Sequence, residues 1–188
     1  MCAVLRINSC PAITTGPFRP WSDTDDRLVS FYPPRQMSYW LLKSEPSTFS
    51  IDDLAGRPGK RDFWDGVRNY QARNFLREMS KGDLAFFYHS SAEDKGIAGI
   101  VKIVAEAYPD ATAFDPKDHH YDPKSDPEKP VWYGVDIKLE RKLKRLIPLA
   151  ELKARRELAG MLLLRPGNRL SVTPVEKRHW DAILKMTA

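Results

Sequence analysis

At 188 residues the chain suits one domain of ordinary size with a sizeable core. Hydrophobic residues make up 42% and charged residues 29%, and no apolar run approaches the roughly 20 residues that cross a bilayer, which excludes a helical membrane protein. The formal net charge of +5 permits a nucleic-acid partner without demanding one, and the two cysteines, Cys2 and Cys10, exclude a disulfide or thiolate metal site in the body of the chain.

Residues 1–36 carry Pro11, Pro17, Pro20, Pro33 and Pro34 and no sustained period. They read as a disordered tail or as sequence upstream of a misplaced start codon. A transit peptide is the alternative, on Arg6, Arg19 and the absence of acids before Asp23; Asp23, Asp25 and Asp26 count against it. The expected division is an extension over 1–37 and one domain over 38–188.

Tyr39-Trp40-Leu41-Leu42-Lys43-Ser44 reads as a first strand. Trp40, Leu42 and Ser44 share one face, and Tyr39, Leu41 and Lys43 the other. Ser50-Ile51-Asp52-Asp53 has the form of a capping box and starts a short helix through Leu54. After a loop over 56–61, the stretch from Asp62 to Asn69 reads as a further loop that opens directly into a helix. There Ala72, Phe75, Leu76 and Met79 form an apolar stripe, and Tyr70, Arg73, Asn74 and Arg77 a neighbouring polar one. Asn69 is the N-cap and Lys81-Gly82 the stop.

A second strand covers 83–90, with Phe86, Tyr88 and Ser90 opposite Phe87 and His89. A third covers 96–107, with Ile97, Val101 and Ile103 on one face and Gly99 marking a bulge or a close backbone approach. Residues 108–130 form a long loop with five prolines, of a length that is functional or disordered; Tyr108, Phe114 and Tyr121 argue for packing against the body. A long strand over 131–147 sets Ile137, Leu139, Leu143 and Ile147 opposite Lys138, Glu140, Lys142 and Lys144. Residues 149–158 read as helix. Arg165-Pro166-Gly167 turns the chain into a strand over 169–172. Thr173-Pro174-Val175-Glu176 then reads as a helix start, and Trp180, Ile183 and Leu184 as that helix's buried stripe. The order favours an α+β, mostly β fold: a small curved β-barrel with short helices at its ends.

The loop holding Trp64 meets a helix N-terminus, where free N–H groups favour an anion. It reads as the wall of a pocket for a flat, polar ligand near a phosphate. A core Trp behind an ordinary amphipathic helix is the plain alternative, and both stand at this point. A flipped-out base needs an aromatic face, hydrogen bonds to its edge and cations on its phosphates. Trp64 with Tyr121 or Tyr88 supplies rings; Ser44, Asn69 and Ser90 supply edge bonds; Lys43, Arg68, Arg73 and Arg77 supply charge. Each serine is equally a strand-end hydroxyl bonded to backbone, and the arginines a solvated helix face. Stacking is worth ~1–3 kcal/mol per base, so Trp64→Ala is expected to cripple binding while the domain stays folded.

Hydrolysis is the rival chemistry, with Lys43, Ser44, Glu45, His89 and Ser90 as its candidates and Lys43 with Glu45 the better pair. No G-x-S-x-G elbow is present. His119-His120 with Asp115, Asp118 and Asp122 lacks regular ligand spacing and reads as an acidic surface loop, so neither metal nor other cofactor is expected.

Tyr39 to Pro46, Trp64 to Asn74, Phe87 to Ser90, Ala107 to Asp110 and Arg169 to Val175 together resemble the EVE domain family. The resemblance runs from about Ser38 to Met186. It implies a PUA-like β-barrel related to the YTH domain, which reads a methylated adenine in RNA. By that likeness Lys43, Ser44 and Trp64 are pocket residues and Tyr121 a second cage aromatic. The family is linked to modified bases, especially modified cytosine in DNA.

The resulting expectation is a non-catalytic module that reads a modified nucleobase by extruding it into an aromatic pocket. That pocket comprises Lys43, Ser44, Glu45, Trp64, Asp65, Val67, Asn69, Tyr88, His89, Ser90 and Tyr121, with Arg68, Arg73 and Arg77 on the phosphates. The alternative is an amidohydrolase-type enzyme acting on a modified nucleoside, since related PUA-like domains use a Lys and a Glu near the pocket. The expected partner is nucleic acid with a modified base, DNA ahead of RNA. No membrane partner is expected, a monomer is favoured, and the location is cytoplasmic in a bacterium or nuclear in a eukaryote.

Overall fold

Among the described residues six strands, β1 (Tyr39–Ser44), β2 (Arg61–Trp64), β3 (Leu84–His89), β4 (Gly96–Pro109), β5 (Tyr133–Pro148) and β6 (Val172–Val175), form one sheet in the order β2-β5-β4-β3-β1-β6. The computed structural model describes residues 36–91 and 93–187, so the extension expected over 1–37 falls almost wholly outside the described residues. Within those residues four α-helices accompany the sheet: α1 (Ile51–Gly56), α2 (Tyr70–Glu78), α3 (Leu149–Ala154) and α4 (Lys177–Lys185). β1 and β3 are parallel; every other pairing is antiparallel. A parallel pair needs a crossover, and α1, β2 and α2 provide it.

The mostly β fold is present as a curved sheet. It does not close: β2 and β6 are its two edges. Trp64 of β2 nevertheless meets Phe87 of β3, with ring centroids 5.5 Å apart, although β5 and β4 lie between those strands in the sheet. The sheet therefore rolls over one of its own faces. That face encloses a core of Trp40, Leu42, Trp64, Phe87, Val101 and Ile137, completed by Leu54 of α1 and Leu76 of α2. The opposite face buries Leu41, Phe86, Tyr88 and Ile147 against Leu152 of α3 and Trp180 and Ile183 of α4. With apolar neighbours on both sides, β1 and β3 read as nearly unbroken apolar runs.

Gly99 bears out the expected irregularity. Pairing shifts register beside it on both β3 and β5, and a Cβ there would stand 2.8 Å from Ile51 Cδ1. A bulge moves every later side chain to the other face. Hence Ile97 lies in the second core while Val101 and Ile103 lie in the first, not on one face as strict alternation predicts. The same shifts divide β5, with Ile137 and Leu139 in the first core and Leu143 and Ile147 in the second.

Three other expectations are corrected. The segment before Trp64 is a strand, β2, not a loop. The helix expected over 149–158 stops at Ala154 and resumes as a 3-10 turn over Arg156–Leu158. Thr173-Pro174-Val175 is strand, not a helix start, and α4 begins after Glu176 with no side-chain cap. Proline is tolerated because β6 is an edge. The capping box at Ser50 and Asp53 and the N-cap at Asn69 are both formed as expected. Asp83 is buried and accepts from Trp40 Nε1 at 3.0 Å and from the Ser38 and Ser80 amides at 3.1 Å. It thereby ties the entry of β1 to the turn after α2.

Candidate nucleic-acid interface

The end of β1, the β2–α2 loop and the long loop after β4 converge on a cleft of about 610 Å³. The cleft exists because the long loop is tied down. Asp110 is wholly buried and accepts from Arg68 Nη1 at 2.7 Å, Gly66 N at 3.0 Å, and Thr112 N and Oγ1 at 3.0 and 2.7 Å. Burial pushes its carboxyl up, but the bonds from Arg68, Thr112 and Gly66 outweigh this and hold it below the ordinary carboxylate range. Arg68 Nε also donates to His120 O at 2.6 Å. Gly66 has φ +69°, and a Cβ there would clash with the His120 imidazole. Only glycine lets that ring lie against the backbone and carry Asp118, His119 and His120 to the cleft wall.

Lys43, Ser44, Glu45, Trp64, Asp65 and Val67 all line the cleft, so it gathers six of the eleven expected pocket residues. The other five lie elsewhere. Asn69 Oδ1 is taken up by the amides of Gln71 and Ala72, both at 3.0 Å, as the cap of α2. Tyr88 points into the second core, where burial raises its phenol. His89 Nε2 accepts from Ile51 N at 3.1 Å, at the start of α1. Ser90 Oγ donates to Ser44 O at 3.2 Å, the strand-end role weighed above. Tyr121 is exposed but outside the cleft.

Trp64 does not stand open. Its exposure is 7%, and it packs edge-on against Phe87 and Phe49, at 5.5 and 6.4 Å between centroids. It is a core ring with a narrow strip facing the cleft. The rings with more free surface there are Phe49 and Phe63, the latter stacked on Tyr108 at 4.5 Å. The cleft also takes Arg57, Asp62, His119, His120 and Ser171, none of them among the expected pocket residues. The residue signalling the histidines was Gly66, whose contact partner lies more than 50 positions away.

The interior charge also differs from expectation. Lys43 and Arg57 face Glu45, Asp62, Asp65 and Asp118, a formal balance of 2 − 4 = −2 with histidines neutral. Arg57 is bound to Asp62 at 2.8 Å. The Lys43 ammonium has no hydrogen bond or ion pair among the described residues, and burial lowers its pKa. Asp65 is raised, first by loss of solvent and then by Asp110, against the pull of His120. Such a lining suits a ligand edge with both donors and acceptors, and it repels phosphate. Of the three arginines expected on phosphates, Arg68 is absorbed by Asp110. Arg73 donates to Val131 O at 3.1 Å and lies 5.0 Å over Tyr70; Arg77 lies 5.0 Å over Tyr133. Neither has a carboxylate partner among the described residues. Donor atoms of Asp118, His119 and His120 lie within 4.8 Å of one another, but Asp118 Oδ1 already accepts from His120 N at 2.8 Å.

His89 gives a pH prediction. Its Nε2 accepts a backbone N–H, which requires the neutral ring, and burial lowers its pKa. The unfolded chain therefore binds a proton first as pH falls. Stability is expected to be level above about pH 6.5 and to decline below it. Burial lowers His120 in the same direction. In thermal melts from pH 7.5 to 5, His89→Gln should flatten the decline, and an unchanged slope would remove His89 as its source.

The fold is thus a rolled, open sheet that carries a loop-walled, acid-lined cleft among the described residues. The chain belongs to the EVE domain family, whose model matches residues 38–186. It is 47% identical to human Thymocyte nuclear protein 1 over 165 residues, 79% of this chain and 73% of that protein. A crystal structure of a Pseudomonas syringae protein shares 52% identity, covers 80% of this chain and 99% of its own, and superposes with a TM-score of 0.77. Human THYN1, crystallised in complex with 5-methylcytosine-containing DNA, shares 46% identity, covers 80% of this chain and 97% of its own, and has a TM-score of 0.77. No helix of the described residues is long and apolar enough to cross a membrane.

Proposed function

We propose that this chain binds DNA carrying a modified cytosine and receives the extruded base in the cleft walled by Lys43, Asp65, Trp64 and His120. The observation that carries the reading is the cleft lining itself: an ammonium without a partner among the described residues and a raised carboxyl, in a space of about 610 Å³, within the size range of small-ligand sites. A cytosine edge offers acceptors to Lys43 and an exocyclic amine to Asp65. The complex of human THYN1 with 5-methylcytosine-containing DNA supports the choice of base. Phe49 and Phe63 supply the apolar walls, and Trp64 backs them from the core. The module has no catalytic step on this reading.

Titration of labelled duplexes differing only in cytosine or 5-methylcytosine at one position tests it. The wild-type chain should prefer the modified duplex. Lys43→Met should lose roughly tenfold of that affinity, the size of one charged hydrogen bond. Equal wild-type affinity for both duplexes would sink the reading.

A second reading rests on Lys43 and Glu45, which share the cleft with neither one in an ion pair among the described residues. It is hydrolysis of a modified nucleoside, with these two as acid and base. Product formed from a methylated cytidine by the wild-type chain, and lost in Lys43→Met, would favour it.

A further inference from the structure

A second groove of about 580 Å³ is built by the end of α3 and the segment that follows it. Its floor includes Leu158 and Met161, which belong to the second core, whereas the base cleft is built on the first. Its rim carries Lys153, Arg155, Arg156 and Arg165, all exposed. None of the four has an ion pair or side-chain hydrogen bond among the described residues. Between positions 152 and 175 the chain has five cations (those four and Arg169) and one acid, Glu157, a formal balance of 5 − 1 = +4. The acid-lined cleft thus contrasts with a groove whose rim cations form no ion pair among the described residues.

The two regions are joined by a short piece of chain. Arg165 stands on the groove rim and Ser171 on the cleft wall, where Lys43 N donates to Ser171 O at 2.8 Å. Six residues reach at most about 20 Å. A duplex carries one phosphate charge per roughly 1.7 Å of axis, so about a dozen phosphates fall within that reach. A base held in an acidic cleft needs its backbone held elsewhere, and the arginines of α2 are largely committed to carbonyl and aromatic partners.

We propose that the groove rimmed by Lys153, Arg155, Arg156 and Arg165 is the surface that grips the phosphate backbone of the bound nucleic acid. The assignment rests on the base-reading function above, and it identifies where the sequence-independent part of the affinity comes from. Guanidinium groups suit phosphate through paired N–H donors. The occupant is a nucleic-acid backbone and not an acidic peptide, because the cations run on toward the cleft through Arg169.

The test is the salt dependence of binding, measured with the full chain on the methylated duplex and its unmethylated counterpart. The variant is Arg155→Ala/Arg156→Ala/Arg165→Ala, and the control is Lys138→Ala/Lys144→Ala, two exposed cations of β5. The slope of log K against log salt should fall by roughly 2 to 3 in the triple variant, at about 0.9 per lost phosphate contact. Affinity should drop for both duplexes by the same factor, leaving their ratio unchanged. The control should keep the wild-type slope. An unchanged slope in the triple variant overturns the proposal and leaves the groove to another partner, such as an acidic peptide. An equal drop in the control overturns it as well, because any surface cation would then serve. A wild-type chain without preference for the methylated duplex refutes the base reading alone, since the slopes remain measurable on either duplex.

Discussion

Arg68→Met should lower folding stability by about 3–5 kcal/mol, the loss that follows when one partner of a buried ion pair is removed. Asp110 has no exposed surface, and without the guanidinium its charge would keep only the bonds from Gly66 and Thr112. The sign with pH follows. In the wild-type chain the depressed carboxyl stabilises the fold at neutral pH, and this is lost as pH falls through its folded value. In the variant the carboxyl loses the guanidinium that helps hold it down, so the deficit is full at pH 7 and shrinks as acid protonates the group. Denaturant melts at pH 7 and pH 4.5 would check both parts; a deficit below about 1 kcal/mol at pH 7 would show that solvent reaches Asp110. The same variant releases His120 O, so binding should weaken even where the chain remains folded.

Trp64→Ala should cost about 3–5 kcal/mol, as for other large aromatic side chains deleted from a core. For a domain of this size that is a fall of roughly 10 °C or more in melting temperature. The expectation that this variant stays intact while binding disappears is therefore reversed: stability responds first. Trp64→Phe keeps an aromatic contact toward Phe87 and should lose much less. If Trp64→Ala melted within 3 °C of the wild type, the ring would have to be far more open than its contacts with Phe49 and Phe87 allow. Lys43→Met, which breaks no observed bond, is the cleaner probe of the cleft.

The features legible in the sequence are local ones. Alternation along Tyr39–Ser44, the Ser50–Asp53 box, the Asn69 cap and the stripe of Ala72 and Leu76 all depend on neighbours within four positions. β2 was not legible: its four residues, Arg61–Trp64, have no pattern of their own and become a strand by pairing with Lys138 to Val135. Faces beyond Gly99 were misassigned because a bulge leaves only a weak mark on the sequence while inverting everything after it. Arg68 read as a free cation because its partner lies 42 positions away. The charge of the cleft was hidden for the same reason, since its acids come from residues 45, 62, 65 and 118, which only the folded chain assembles.

Pro174 also decides how copies of this protein can meet. Lys43 N donates to Ser171 O, so alternation along β1 and β6 makes Trp40 and Pro174 a pair that exchanges no hydrogen bonds. The proline nitrogen thus faces away from the sheet, toward the border where a seventh strand would have to attach. It has no hydrogen to offer such a newcomer, and β6 is only four residues long. Self-assembly by sheet extension is closed off on that side, and any association of two chains across this border must use side chains rather than a shared ladder.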